Sequence, residues 1–130
     1  MRTEPVFLTD KDGDVILELI TGNYKEAECA CGCAFSRLEA NTSDASGEKH
    51  VPVMETQGRC VTVRVGSIFH PMTEEHSIGW VQLHTQEGRC YRTYLNPESD
   101  PVAQFTLEDG DVPLCAYAYC NLHGFWKSAE

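Results

Sequence analysis

The stretch Ile78-Gly79-Trp80-Val81-Gln82-Leu83, with Cys90-Tyr91-Arg92-Thr93-Tyr94-Leu95 following it beyond Glu87-Gly88, decides the fold. Two strand-like runs on either side of an acidic residue and a glycine are the signature of a β-hairpin, because glycine accepts the positive φ that a tight reversal needs. The same grammar extends outward. Val61, Val63 and Val65 share one face of an extended chain, with Thr62 and Arg64 on the other. Val102 to Leu107 and Leu114 to Cys120 complete the set, separated by turns rich in Pro, Asp and Gly. Short strands at regular spacing, without a convincing helical period, predict an all-β protein built as an antiparallel β-sandwich.

Upstream, Glu4 to Leu8 and Asp14 to Ile20 read as short strands around a Lys11-Asp12-Gly13 turn, and Ala34 to Leu38 as a third. Asn41 to Gly47 (NTSDASG) is a run of turn-forming polar residues and is read as a boundary. The expected organisation is a small N-terminal β module over residues 1–40 and a sandwich domain over 41–130.

The chain has 130 residues, a formal net charge of −10 and a sequence pI near 4.8. Such a charge disfavours nucleic acid and anionic membrane surfaces, both of which reward cations. No apolar run approaches transmembrane length, and MRTEPVFLTDKDGD lacks a signal-peptide pattern, so a cytoplasmic protein is expected. An odd count of seven cysteines argues for free thiols in a reducing compartment. Cys60, Cys90 and Cys115 sit in strand-like runs and are read as small apolar packing groups.

Four of the five histidines and one cysteine fall into three clusters, Glu48-Lys49-His50-Val51-Pro52, His70-Pro71-Met72-Thr73-Glu74-Glu75-His76 and Cys120-Asn121-Leu122-His123. Imidazole suits iron, copper, zinc or nickel, and a thiolate is soft and strongly donating. Four imidazoles and one thiolate exceed the four ligands of structural zinc and leave one octahedral position open on a redox metal. His84 has no partner at ligand spacing and is read as structural. Met72 and Trp126 are read as packing around the site, and Glu74 and Glu75 as a solvated loop face. Two alternatives stand beside a catalytic centre. A cupredoxin-like electron carrier would want a Met shortly after the last His, where the chain has Gly124-Phe125-Trp126-Lys127. A non-catalytic iron-binding module would leave Glu48-Lys49 without a task.

The motifs EKHVP, HPMTEEH and CNLHGFW, in that order, resemble the superoxide reductases of the desulfoferrodoxin/neelaredoxin family, and the resemblance spans essentially the whole chain after Leu38. It implies an immunoglobulin-like sandwich carrying one mononuclear iron per chain. The iron would have His50, His70, His76 and His123 in its equatorial plane and Cys120 as axial thiolate. Glu48 resembles the side chain that can occupy the sixth position of the ferric state, and Lys49 the cation that attracts and orients superoxide. The implied activity is one-electron reduction of superoxide to hydrogen peroxide without release of oxygen. A small electron donor such as rubredoxin would restore the ferrous state, and homodimers or tetramers are usual in the family. Longer members hold a second iron with four Cys in the N-terminal module. Here only Cys29, Cys31 and Cys33 stand in that region (CACGC). Alternate residues of an extended chain point to opposite faces, so this module is expected to be a desulforedoxin-like structure without its iron.

Overall fold

The computed structural model describes residues 3–20 and 35–129. The chain separates into two compact units, one over Thr3–Glu39 and one from Ala40 onward. In the first, β1 (Phe7–Thr9) lies between β2 (Ile16–Glu18) and β3 (Ser36–Arg37), both antiparallel to it. These strands are shorter than the sequence runs suggest. Asp10 folds back instead, its carboxylate accepting the N–H groups of Asp14 and Val15 at 2.9 and 3.3 Å. Cys29, Cys31 and Cys33 lie outside the described residues.

The second unit is a sandwich of seven antiparallel strands. One sheet runs β10 (Gly124–Lys127), β9 (Pro113–Cys120), β6 (Ile78–Thr85), β7 (Cys90–Tyr94). The other runs β4 (Pro52–Gln57), β5 (Cys60–Val65), β8 (Val102–Thr106). Sheets of four and three strands match the count of an immunoglobulin-like constant domain. Alternation places Val61, Val63 and Val65 of β5 against Val81 and Leu83 of β6 and Ala116, Ala118 and Cys120 of β9 in one buried cluster. The β6–β7 reversal closes at Gly88, with φ of 90° and a bond from its N–H to the Thr85 carbonyl at 3.1 Å. Asp111 ties this end together: its carboxylate accepts the Glu87 and Val112 N–H groups at 3.1 and 2.9 Å and pairs with Arg89 at 3.1 Å.

Three features depart from the sequence reading. Residues Gly47–His50 form one turn of helix, α1, too short for a helical period to register. Cys120 to His123 does not follow the last strand, because β10 comes after it. Of the three strand cysteines only Cys115 is buried; Cys60 is half-buried and Cys90 exposed.

Two registers position everything that follows. Pro52 pairs with Val65, which sets α1 and the chain after β5 at the same end of the β4–β5 hairpin. Ile78 pairs with Cys120, which sets the loop before β6 beside the end of β9. Val65, Ile78 and Cys120 are all fully buried, so the core joins these two ends. Leu83→Ala, a truncation at a fully buried core position, should destabilise the metal-free protein by about 2–5 kcal/mol. Urea denaturation checks it; a loss below about 1 kcal/mol would mean Leu83 is not in a close-packed core.

Candidate metal centre

The five donors arrive on four local devices. The helix α1 ends at His50, whose ring is buried, and its Nδ1 lies 2.7 Å from the Ser46 carbonyl. The loop after β5 turns at Gly66 and delivers His70, whose N–H bonds to the Val65 carbonyl at 2.9 Å. A Cβ on Gly66 would run into the Glu48 carbonyl and lie 2.7 Å from the Lys49 carbonyl carbon, so only glycine lets this loop pass α1. Ile68 N–H and Ser67 Oγ then bond to the Glu48 carbonyl at 3.0 and 3.2 Å. His76 sits on a turn closed by Thr73, whose N–H donates to the His76 carbonyl at 3.0 Å while its Oγ1 accepts the His76 N–H at 3.1 Å. Cys120 and His123 are joined by the β9–β10 reversal, in which Gly124, at φ of 78°, pairs back onto Cys120.

The imidazoles form a square. Going round, His50–His70, His70–His76, His76–His123 and His123–His50 have ring centroids 4.5, 4.5, 5.1 and 4.9 Å apart, each pair close to perpendicular. Across the diagonal, His50 and His76 are 6.3 Å apart. The donor atoms of His50, His70, His76 and Cys120 all lie within 4.8 Å of one another. His123 joins at the edge through Nδ1, 3.1 Å from His50 Nε2 and 3.8 Å from Cys120 Sγ. The buried sulfur is 3.4 Å from His70 Nε2, and it accepts the His123 backbone N–H at 3.4 Å.

The lone pairs decide what this arrangement is for. The Nδ1 atoms of His50 and His70 lie 2.7 and 2.6 Å from the Ser46 and Pro71 carbonyls, which can only accept, so each Nδ1 carries the proton. Both Nε2 atoms are then bare, yet they face each other at 3.1 Å. The His76 Nε2 is buried with no hydrogen-bond partner among the described residues. Bare nitrogens held this close repel unless a cation lies between them. Two metal–nitrogen bonds of about 2.1 Å at right angles would put their nitrogens roughly 3 Å apart. The residues fit a metal ion, and the carbonyls of Ser46 and Pro71 are the outer partners that fix such ligands.

Burial pushes the His70 imidazole down to about 4, against the opposing bond to Pro71 and with help from the neighbouring histidines. Burial likewise lowers His50 and His76; neighbouring charges, including that of Lys49, add to this at His50. These rings are therefore neutral and ready to coordinate at neutral pH. Trp126 stacks on His50 at 4.8 Å, and its indole N–H donates to the His123 carbonyl at 3.1 Å, so it buttresses two donors at once. The Met72 sulfur is engaged by the backbone, accepting the Ile78 N–H at 3.3 Å, and its side chain packs against the core. Glu74 and Glu75 are exposed, as are Glu48 and Lys49. Among the described residues neither the Glu48 carboxylate nor the Lys49 ammonium bonds to a ring nitrogen of the cluster. His84 lies apart, its Nε2 bonded to the Gln82 amide at 2.7 Å and 3.7 Å from Cys90 Sγ. The Ser46 and Pro71 carbonyls, the Thr73 turn and the passage at Gly66 were not legible in the sequence, since backbone groups carry no residue signature. Gly66 itself is a visible cue only once its neighbour is known.

Fold and site together define a β-sandwich metalloprotein with an imidazole–thiolate centre. Residues 42–129 match the sequence profile of the Desulfoferrodoxin family. A desulfoferrodoxin from Syntrophotalea carbinolica is 45% identical over 113 residues, covering 87% of this chain and 86% of that protein. A superoxide reductase from Thermococcus kodakarensis is 37% identical over 105 residues, covering 67% of this chain and 90% of its own length. Among solved structures, the superoxide reductase from Treponema pallidum superposes with a TM-score of 0.79 at 36% identity, covering 98% of this chain and 100% of that one. The chain belongs to the desulfoferrodoxin family.

The lowered imidazoles set a pH dependence. An unfolded histidine takes its proton near 6.5, whereas folded His70 resists it down to about 4, so between these values the unfolded chain binds more protons. Stability of the metal-free protein should therefore fall as pH drops through this window and be level in this respect above it. Urea midpoints between pH 7.5 and pH 5 would check it, and His70→Gln should flatten part of the slope. An equal slope in His70→Gln would mean that His70 does not carry the effect.

Proposed function

We propose that this chain is a superoxide reductase: one superoxide anion, one electron and two protons become one hydrogen peroxide, with no oxygen released. A single iron, held by His50, His70, His76, His123 and Cys120, would supply the electron when bound. The observation that carries this reading is the facing of the bare His50 and His70 Nε2 atoms at 3.1 Å beside a buried thiol. Five donors leave one position of an octahedron open, and a small anion is what such a position takes.

The chain's own groups do the rest. Imidazoles bind a metal without adding charge, so Cys120 would be the one anionic donor to the iron, and the centre would stay attractive to an anion. Sulfur also donates strongly, as in Cys-ligated haem. The His123 N–H, 3.4 Å from that sulfur, tempers the donation and fixes its direction. Lys49, whose charge is felt at His50, is the cation placed to draw superoxide toward a chain of net charge −10. Glu48, one residue before it on α1, is assigned to the open position of the oxidised centre, where the harder ferric ion prefers oxygen. A small redox protein of the rubredoxin kind would return the electron. The reading includes one iron per chain, an iron-free N-terminal module over residues 1–40, and a homodimer or tetramer as the assembly.

Iron-loaded oxidised protein should show a thiolate-to-iron absorption band that is absent when reduced and returns on addition of superoxide. Cys120→Ser should retain histidine-bound iron and lose the band, because oxygen is a harder and weaker donor than sulfur. Retention of the band in Cys120→Ser would assign the thiolate to another cysteine.

Lys49→Ala should slow superoxide capture about tenfold and reduce the dependence of the rate on ionic strength. Stopped-flow measurements across salt concentration check this. Equal rates and equal salt slopes for wild type and Lys49→Ala would remove Lys49 from steering.

A further inference from the structure

Among the four imidazoles, His76 is held differently. His50 and His70 are each fixed at Nδ1 by a carbonyl, and His123 is tied through its backbone to both Cys120 and Trp126. The His76 ring has no such bond among the described residues; its Nε2 is buried and unpartnered. Apart from its edge contacts with His70 and His123, its direction depends on how its backbone is held. On one side the Thr73 turn holds its N–H and carbonyl. On the other side stands Asn121, which sequence reading treats only as part of a Cys–His spacing.

Asn121 grips the His76 backbone from both flanks. Its Oδ1 accepts the Ser77 N–H at 3.0 Å, and its Nδ2 donates to the Glu75 carbonyl at 2.9 Å. A third bond runs from its own N–H to the Ser77 carbonyl at 3.2 Å. Asn121 immediately follows Cys120, so one residue joins the thiol-bearing turn to the loop carrying His76. Glu75 and Ser77 bracket His76, and with both held, the residue between them cannot swing without breaking one of the bonds. A side-chain amide suits this, since it offers an acceptor and a donor on one short planar group.

We propose that Asn121 is a positioning residue: by clamping Glu75 and Ser77 it aims His76 at the metal and locks that imidazole to the Cys120 turn. This rests on the reading of the cluster as a metal centre. The consequence is that loss of the clamp weakens one ligand while leaving the thiolate in place. Outer partners of metal ligands contribute roughly 10- to 100-fold to metal affinity, and the clamp falls in that class.

The test uses full-length protein loaded with iron, and wild type is measured first. Failure of wild type to show a thiolate band would overturn the reading of the centre itself, separately from the clamp. Asn121→Ala should lose iron to a chelator about 10- to 100-fold faster than wild type. Its thiolate band should persist but shift, because the sulfur remains while the ligand field changes. In the metal-free protein, amide hydrogen exchange at Ser77 should lose its protection. Asn121→Asp keeps the acceptor for Ser77 and loses the donor to Glu75. It should retain Ser77 protection and release iron at an intermediate rate, and it serves as the test should Asn121→Ala not fold. The proposal is overturned if Asn121→Ala loses Ser77 protection yet keeps wild-type iron release and band position. It is equally overturned if Asn121→Asp matches wild type in both iron release and band position.

Discussion

The pairing of Ile78 with Cys120 is the constraint on which the centre depends. Side chains of a strand alternate between faces, so a slip of one residue between β6 and β9 would turn Cys120 outward and bring Tyr119 into the core. The register is held by what alternation buries: Val81 and Leu83 on one strand, Ala116 and Ala118 on the other, all at zero exposure. Small residues on β9 opposite branched ones on β6 leave room for Val61, Val63 and Val65 from the facing sheet. The sulfur therefore enters the core as part of the hydrophobic packing. Its chemistry comes from the histidines that meet it there.

Bringing those histidines together has an electrostatic cost. Burial makes His50, His70 and His76 resist protonation, and a charge on one ring would repel its neighbours. Neutral rings with their Nδ1 protons committed to carbonyls then confront one another through lone pairs. Such a cavity is unfavourable until a cation fills it, and metal binding is expected to contribute to the stability of this end of the sandwich. The acidic surface works in the same direction, since a net charge of −10 favours a bound cation while opposing the approach of an anion. On the proposed reading, Lys49 would answer the second effect without undoing the first.

Much of this was legible in the residues. Alternation gave β5, and the Glu87-Gly88 signal gave the β6–β7 hairpin, because both depend on local chemistry. The three His/Cys clusters were visible because imidazole and thiolate are rare and distinctive. Other elements were hidden for physical reasons. The helix α1 has four residues, less than the span over which a helical period can appear. The strand β10 is as short and begins at a glycine in a positive φ, which reads as a turn. Cys90 looked like a core residue from its strand position, yet it lies on an exposed stretch of β7. The carbonyls that orient His50 and His70 could not be read at all, because every residue has one. Asn121 was quoted only as a spacer, because its role depends on which loop the fold lays beside it.

The account reduces to one claim, that this centre gives superoxide an electron and does not take one from it. Counting products tests that most directly. Iron-loaded, pre-reduced protein mixed with limiting superoxide should yield one hydrogen peroxide per superoxide consumed, with no oxygen, because O2•− + e− + 2H+ gives H2O2. One peroxide and one oxygen from every two superoxide anions would mean dismutation, and would contradict the account.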